Sequence, residues 1–461
     1  EQRWDDVGYA SGGYHETPVL DALAARGARF DAAYSGSTVC VPSRTSLLTG
    51  LAYHRVEHEP GSLALRPGYL TLARALRAAG YRTELVGKMH FSPMRADHGF
   101  DRLQLAEHLV PYSGYGPGEL DDYHRWLVWQ GRAGAAATHM FGPGLEAEER
   151  EYVESLSAVT FPHPAEYHPI GWVAARATEV LRTRAPGQPL FLVVSFPRPH
   201  APYDPAEPYA SRFRTSDARI PASGFEANDV LPRGLRERLF TSEGKRHRMV
   251  LRSELDDARL RRLLTNVRAL VTQLDVALGE VLAALDPQRA LVFYTSDHGC
   301  YGGARGLVGK VPWVPFDDLA RVPFVCAAPG GQAGVRVAAP TQSHDLVATA
   351  LDYAGIDAPA GLLDSVSLRG LLEGGVPDPG RAVFTTGAVV PPMVRRGQHK
   401  LLHHAATGEE VLFDLAEDPG ELRDRSGDPS LAGVRSELRH ALRAHLERPR
   451  VALGADAILA P

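Results

Sequence analysis

The sequence is poor in the residues that staple or anchor a chain. Three cysteines, Cys40, Cys300 and Cys326, stand in 461 residues with no Cys-x-x-Cys spacing. That excludes a disulfide framework and leaves open at most one pair, Cys300–Cys326. Long hydrophobic runs are missing as well. The longest, such as 190-LFLVVSF-196, have the length of a strand, so no membrane span is available. No tract of Lys and Arg occurs, and a formal net charge of -5 excludes bulk electrostatic binding of nucleic acid. There is no G-x-S-x-G elbow and no phosphate-cradling P-loop, which removes the usual serine hydrolases and nucleotidases. The chain opens at Glu1, inside a polar stretch and without methionine, so a natural N-terminus upstream is expected and no cellular compartment is read from it.

What is present is a pattern of strands alternating with helices. With 44% hydrophobic and 23% charged residues, the chain can bury one large core and a smaller appended unit. Helices are expected over 18–30, 42–48, 69–80, 171–185, 259–285 and 344–355, each from apolar spacing, a capping residue or a closing glycine. Between them, 82–87, 190–196, 290–296 and 322–328 read as apolar strands. Such strands, separated by helices, predict an α/β fold with a large, mostly parallel sheet sandwiched by helices. Residues from about 101 to 170 lack clear periodicity and read as an insertion over one end of the sheet. After about 375 the texture changes. Strands at 382–387, 393–404 and 410–415 and a helix at 431–448 predict a smaller C-terminal α+β subdomain, giving a division into 1–375 and 376–461.

Ligands of open α/β sheets bind beyond the carboxyl ends of the strands. Three polar sets stand there: Lys88 and His90 after 82–87, His200 after 190–196, and Asp297 with His298 after 290–296. A fourth element is Cys40, just ahead of a helix that Pro42 can start. Free backbone N–H groups and the positive end of the helix dipole favour an anion at that point and lower a thiol pKa. Arg44 can reach back toward it. Taken alone, Cys40 reads equally well as a buried cysteine packing near a helix start.

The string Cys40-Val41-Pro42-Ser43-Arg44 followed by 45-TSLLTG-50 resembles the C-x-P-S-R…LTG signature of the formylglycine-dependent sulfatases, in the alkaline-phosphatase-like superfamily. The likeness continues in order through 86-VGKMHF-91, 195-SFPRPHAPY-203, 295-TSDHG-299, 310-KVPWVPFDDLARVPF-324 and 413-FDLAEDPGE-421. The resemblance implies that a maturation enzyme oxidises Cys40 to formylglycine, whose hydrate attacks sulfur with one hydroxyl and releases sulfate through the other. It implies that Lys88, His200 and Lys310 stabilise the sulfate oxygens, that a histidine protonates the leaving group, and that His90 and Arg44 hold and polarise the nucleophile. Cys40, Asp297 and His298 match ligands of a divalent metal. Many relatives have asparagine where His298 stands, and histidine moves the preference from calcium toward manganese or magnesium. The implied substrate is a small-molecule or carbohydrate sulfate ester, and a homo-oligomer is left open.

One position departs from the family. Its first strand ends in a metal-binding aspartate followed by an acidic or amide residue, and Glu1 matches the second of these, so that strand and one ligand are expected before Glu1. Asp5 and Asp6 are expected to be surface turn residues. Two decoys carry less weight. The 54-HRVEH-58 string copies a zinc-peptidase pattern but lies between Gly50 and Pro60, where no long helix fits; the Asp97-His98-Gly99 triplet follows no strand. Tyr112, Tyr115, Tyr123, His124, Trp126 and Trp129 could stack on a substrate, yet the tryptophans read rather as the insertion's own small core. Two rival functions remain: hydrolysis of a phosphonate or phosphate ester by the same superfamily, and a catalytically silent protein that binds sulfated ligands.

Overall fold

The computed structural model describes residues 1–57, 65–66, 69–107, 120–132, 157–237, 239–240, 249–358, 361–387, 390–404 and 407–451. The expected helix over 18–30 is shorter than its pattern: α1 (Pro18–Arg26) stops before Gly27, and β1 (Ala28–Phe30) follows at once. Gly27 lies so close to the neighbouring strand that an added Cβ would stand 2.2 Å from the Cys326 carbonyl oxygen. Only glycine lets the chain pass from helix to sheet there.

In chain order there follow α2 (Cys40–Thr49), α3 (Leu72–Ala78), β2 (Arg82–Gly87), β3 (Arg102–Leu105), α4 (Asp122–Trp129), α5 (Pro169–Arg182) and β4 (Leu190–Ser195). Next come α6 (Asp257–Leu282), β5 (Val292–Thr295), β6 (Phe324–Ala327), β7 (Val335–Val337) and α7 (Asp345–Tyr353). Within the segment read as an insertion, β3 is a member of the sheet. It pairs in parallel with β2, Leu103 and Leu105 facing Leu85 and Gly87 across the ladder. Its short alternation between Arg102 and Gln104 was too brief to stand out from the polar sequence around it.

The strands form two groups. One runs β3-β2-β4, all parallel; the other runs β5-β6-β1-β7, in which β6 is antiparallel to both neighbours. The sheet is therefore mostly parallel, with β6 the exception. Apolar side chains alternate across β4 to fill both faces. Phe191 and Val193 join Leu85 and Phe100, while Leu192 and Val194 pack on Trp172 and Val173 and on the α6 stripe of Leu263, Leu270 and Leu274. The start of α6 is set by the Asp256 side chain, which accepts from the Arg259 N–H.

β4 and β5 are the two strands whose composition and burial disagree. Both are strongly apolar, yet every residue in them is only half-buried, whereas β2 is buried from Thr83 to Gly87. Each has a strand partner on one side alone among the described residues, and Val194 and Tyr294 pack against the same α6 cluster. Two open edges thus look onto one helix.

The C-terminal unit is an antiparallel meander of β8 (Ala382–Thr385), β9 (Met393–Arg396), β10 (His399–His404) and β11 (Glu409–Asp414), covered by α8 (Ala432–Leu446). The expected single strand over 393–404 is a hairpin, turned at Gly397 with φ 55°. One face packs on Leu438 and Leu442 of α8; the other shares a core with Tyr34, Val314, Phe316 and Leu319. No described helix is long and apolar enough to cross a membrane. All three cysteines are free, so the Cys300–Cys326 pair is not formed.

The two units are also joined by a buried charge. Lys400 on β10 is fully buried, with Nζ 2.8 Å from Asp317 and 2.6 Å from Glu421. Burial alone would lower the Lys400 pKa, but these carboxylates hold it above the usual lysine range. Removing the ammonium leaves Asp317 and Glu421 only their longer pairs, with Arg321 at 3.7 Å and Arg305 at 3.9 Å. Lys400→Met is expected to destabilise the protein by about 3–5 kcal/mol, read as a drop in the urea midpoint.

Candidate active site

The rim above β2, β4 and β5 collects the expected residues around one buried cysteine. Cys40 is the first residue of α2, and its Sγ lies 3.0 Å from His298 Nε2 and 3.4 Å from Lys310 Nζ. Burial by itself would raise this thiol, but the charges of Lys310, His298 and Lys88 bring it well below the ordinary cysteine value. Burial raises the other two cysteines; Cys300 is pushed up to about 12.

Arg44, one helical turn on, spans all three strand ends. Its Nε donates to Asp297 Oδ2 at 3.1 Å, and its Nη1 to the Lys88 carbonyl at 2.9 Å and Ser195 Oγ at 3.2 Å. Asp297 is held a second way, because Ser43 Oγ donates to its carbonyl at 2.6 Å and Ser35 Oγ donates to the same oxygen. Burial would raise the Asp297 carboxyl; the Glu1 amino group, His298 and Arg44 instead hold it well below its usual range.

The ring nitrogens of His298 have separate tasks. Nδ1 lies 2.8 Å from the Gly299 carbonyl oxygen, which can only accept, so Nδ1 carries a proton and Nε2 is the nitrogen turned toward Cys40. His200 is arranged likewise: Nδ1 donates to the Ala201 carbonyl at 2.8 Å, and Nε2 lies 3.2 Å from Lys310 Nζ. Burial first, and then Lys310, keeps His200 well below the usual histidine pKa and therefore neutral. Its loop is buckled by buried Arg198, which pairs with Asp204 at 2.7 Å. Burial also lowers Lys88 and His90; His90 hydrogen-bonds Cys40 through its side chain.

The sequence reading missed several of these partners. Glu1 Oε1 stands 2.8 Å from Lys310 Nζ and 3.5 Å from His200 Nε2, and its carboxyl is lowered to about 2: burial opposes the shift, while the surrounding positive charge, Lys310 included, produces it. No motif marks Ser35 or Ser195 for their roles. Asp6 departs from expectation, being buried against His15 and bonded to the Arg3 N–H, while Asp5 pairs with Arg3.

The decoys resolve as loop residues. His54 sits in a single 3-10 turn (Tyr53–Arg55) with Nε2 3.0 Å from the His445 carbonyl; position 58 lies outside the described residues. His98 packs on the Phe91 ring, 4.6 Å between centroids, and Asp97 caps the Gly99 N–H. Tyr123 and Trp126 join Trp172 and Tyr167 in a local core, as expected of the tryptophans, but Trp129 is 81% exposed; Tyr112 and Tyr115 lie outside the described residues. His124 is buried on Asp121.

Two groups among the described residues could hold a metal: Cys40, Asp297 and His298, and Glu1, Cys40 and His200, with ligand atoms of each group within 4.8 Å of one another. The first fits a divalent ion, because it joins a carboxylate to an imidazole whose Nδ1 is engaged by the Gly299 carbonyl, leaving Nε2 as the ligand atom. A buried cysteine on a helix N-terminus, among two lysines and an arginine and beside a group that could hold a metal, suits the chemistry of anionic esters.

Comparison with known proteins gives that chemistry its family. The family model described as Sulfatase matches residues 1–356. The chain is 28% identical over 440 residues to an arylsulfatase of Clostridium perfringens, covering 92% of this chain and 87% of that one. It is 29% identical over 426 residues to a choline-sulfatase of Rhizobium meliloti, covering 89% and 78%. The phosphonate monoester hydrolase of Agrobacterium radiobacter superposes with a TM-score of 0.76 at 25% identity, over 97% of this chain and 94% of its own. The chain belongs to the sulfatase family, with the alkaline-phosphatase-like fold, and is an enzyme that hydrolyses sulfate esters.

Arg44 is the side chain that touches every strand end of the site. Arg44→Ala is expected to lower kcat by about 10²–10³-fold, the scale for losing one preorganised charged donor, and steady-state kinetics on the best ester would show it.

Proposed function

We propose that the enzyme cleaves a small-molecule or carbohydrate sulfate ester with a formylglycine nucleophile made from Cys40 by a maturation enzyme. The observation that carries this reading is the seat of Cys40: a helix N-terminus, with His298 at 3.0 Å and Lys310 at 3.4 Å from Sγ, inside the Asp297 and His298 ligand group. The Cys40 sulfur seen here occupies the place that the oxygens of the hydrated aldehyde would take in the mature enzyme. That group supplies one hydroxyl to attack sulfur and a second to release sulfate. A divalent ion held by Asp297, His298 and modified Cys40, either calcium or manganese or magnesium, supplies the positive charge that makes the attacking hydroxyl acidic.

The chain's own residues do the rest. Lys88 and Lys310 face the anionic head of the ester, and their partial desolvation strengthens that attraction. His200, neutral and accepting from Lys310, can pass a proton between Lys310 and the departing oxygen. His90 holds the nucleophile through its bond to Cys40. A phosphonate or phosphate ester is the second reading, favoured by the likeness to the Agrobacterium enzyme. Cys40→Ala is expected to abolish turnover while leaving the melting temperature within a few degrees of the parent. The parent should hydrolyse p-nitrophenyl sulfate in preference to the phosphate and phosphonate esters. A preference for phosphorus would move the enzyme to the second reading, and binding of sulfate esters without turnover would mark a silent binding protein.

A further inference from the structure

One buried carboxylate beside the site has no part in the chemistry above. Glu107, 2% exposed, lies two residues beyond β3, and its Oε1 accepts from the backbone N–H groups of Met89 at 2.8 Å and His90 at 2.9 Å. His90 has φ 65°, in the left-handed region that residues with a Cβ enter only when their surroundings hold them there. The holding group is itself fixed. Ala106 N–H donates to the Gly87 carbonyl at 3.1 Å, prolonging the β2–β3 pairing toward Glu107. The Glu107 N–H donates to fully buried Asp121, whose other oxygen caps α4 at the His124 N–H, 2.7 Å, and meets His124 Nδ1 at 2.6 Å.

We propose that Glu107 is the positioning residue for His90: its carboxylate oxygen locks the Met89–His90 backbone in the turn that aims the imidazole at the nucleophile. The inference rests on the proposed role of residue 40 and extends it. Glu107 touches no reacting atom and acts chiefly through the peptide groups, its charge weighing on the imidazole less than burial, Lys88 and Cys40 do. What it must supply is an acceptor oxygen at a fixed distance, which glutamine also supplies and alanine does not. A carboxylate serving only to stabilise the loop would lower stability without selecting His90.

The test is a double-mutant cycle on the metal-loaded enzyme, run on whichever ester the parent turns over fastest. Glu107→Ala is expected to lower kcat about tenfold or more with KM within about threefold, because ground-state binding does not depend on His90. Glu107→Gln should recover kcat to within about threefold of the parent. In a His90→Ala background, Glu107→Ala should cost nothing further, the sign of two residues acting as one unit. If Glu107→Ala does not accumulate folded, Glu107→Asp, whose shorter arm cannot reach both amides, replaces it in the cycle. Additive losses, a parent-like kcat in the alanine variant, or a glutamine variant as poor as alanine would each overturn the proposal. A parent that turns over only phosphorus esters defeats the sulfate reading and leaves this comparison intact. A parent with no turnover defeats the function before any variant is compared.

Discussion

Everything at this site depends on how helix α2 is bolted to the end of β5. The peptide carbonyl of Asp297 takes hydroxyls from Ser35 and Ser43, and its carboxylate takes Arg44. These bonds join the turn that carries Asp297 and His298 to the first turns of the helix that carries Cys40. The proposed nucleophile and the group that could hold a metal are thus parts of one hydrogen-bonded block. The same arginine reaches the Lys88 carbonyl and Ser195, so the ends of β2 and β4 are tied into it as well. A constellation held to a fraction of an ångström is what electrostatic catalysis requires, since its donors gain nothing if they must reorganise during the reaction.

The charges follow the same economy. Lys88, Lys310 and Arg44 converge on a small buried volume, answered by Glu1 and Asp297. So many like charges would ordinarily shed protons. Burial lowers Lys88, with Cys40 and Asp297 opposing that shift, while burial and neighbouring cations keep His200 neutral. The buried Lys400 pair does comparable work at the seam, where the meander of the smaller unit meets the segment that follows Lys310.

Much of this was legible in the sequence, and the reason is chemical. Cys40, Arg44, Lys88, His90, His200, Asp297 and His298 each sit past an apolar strand or near a helix start, where local pattern and chemistry coincide; Lys310 came only from the likeness to the family. The residues that escaped act through peptide groups or across long separations. Glu107 binds two amides 17 and 18 residues away, and Ser35 reaches a carbonyl 262 residues away; neither leaves a trace in spacing. β3 was hidden because four residues cannot show a period. The end of α1 was misplaced because the requirement at Gly27 is a close approach to β6, a tertiary constraint with no local sign. That β4 and β5 are apolar yet half-buried also left no sign in the sequence, where both read as ordinary core strands.

The most direct measurement is the mass of the tryptic peptide Phe30–Arg44 from protein made in its own host. The account predicts that residue 40 reads as an aldehyde and its hydrate, resistant to thiol alkylation. A peptide carrying only an intact, alkylatable cysteine, taken from an enzyme that still hydrolyses sulfate esters, would contradict it.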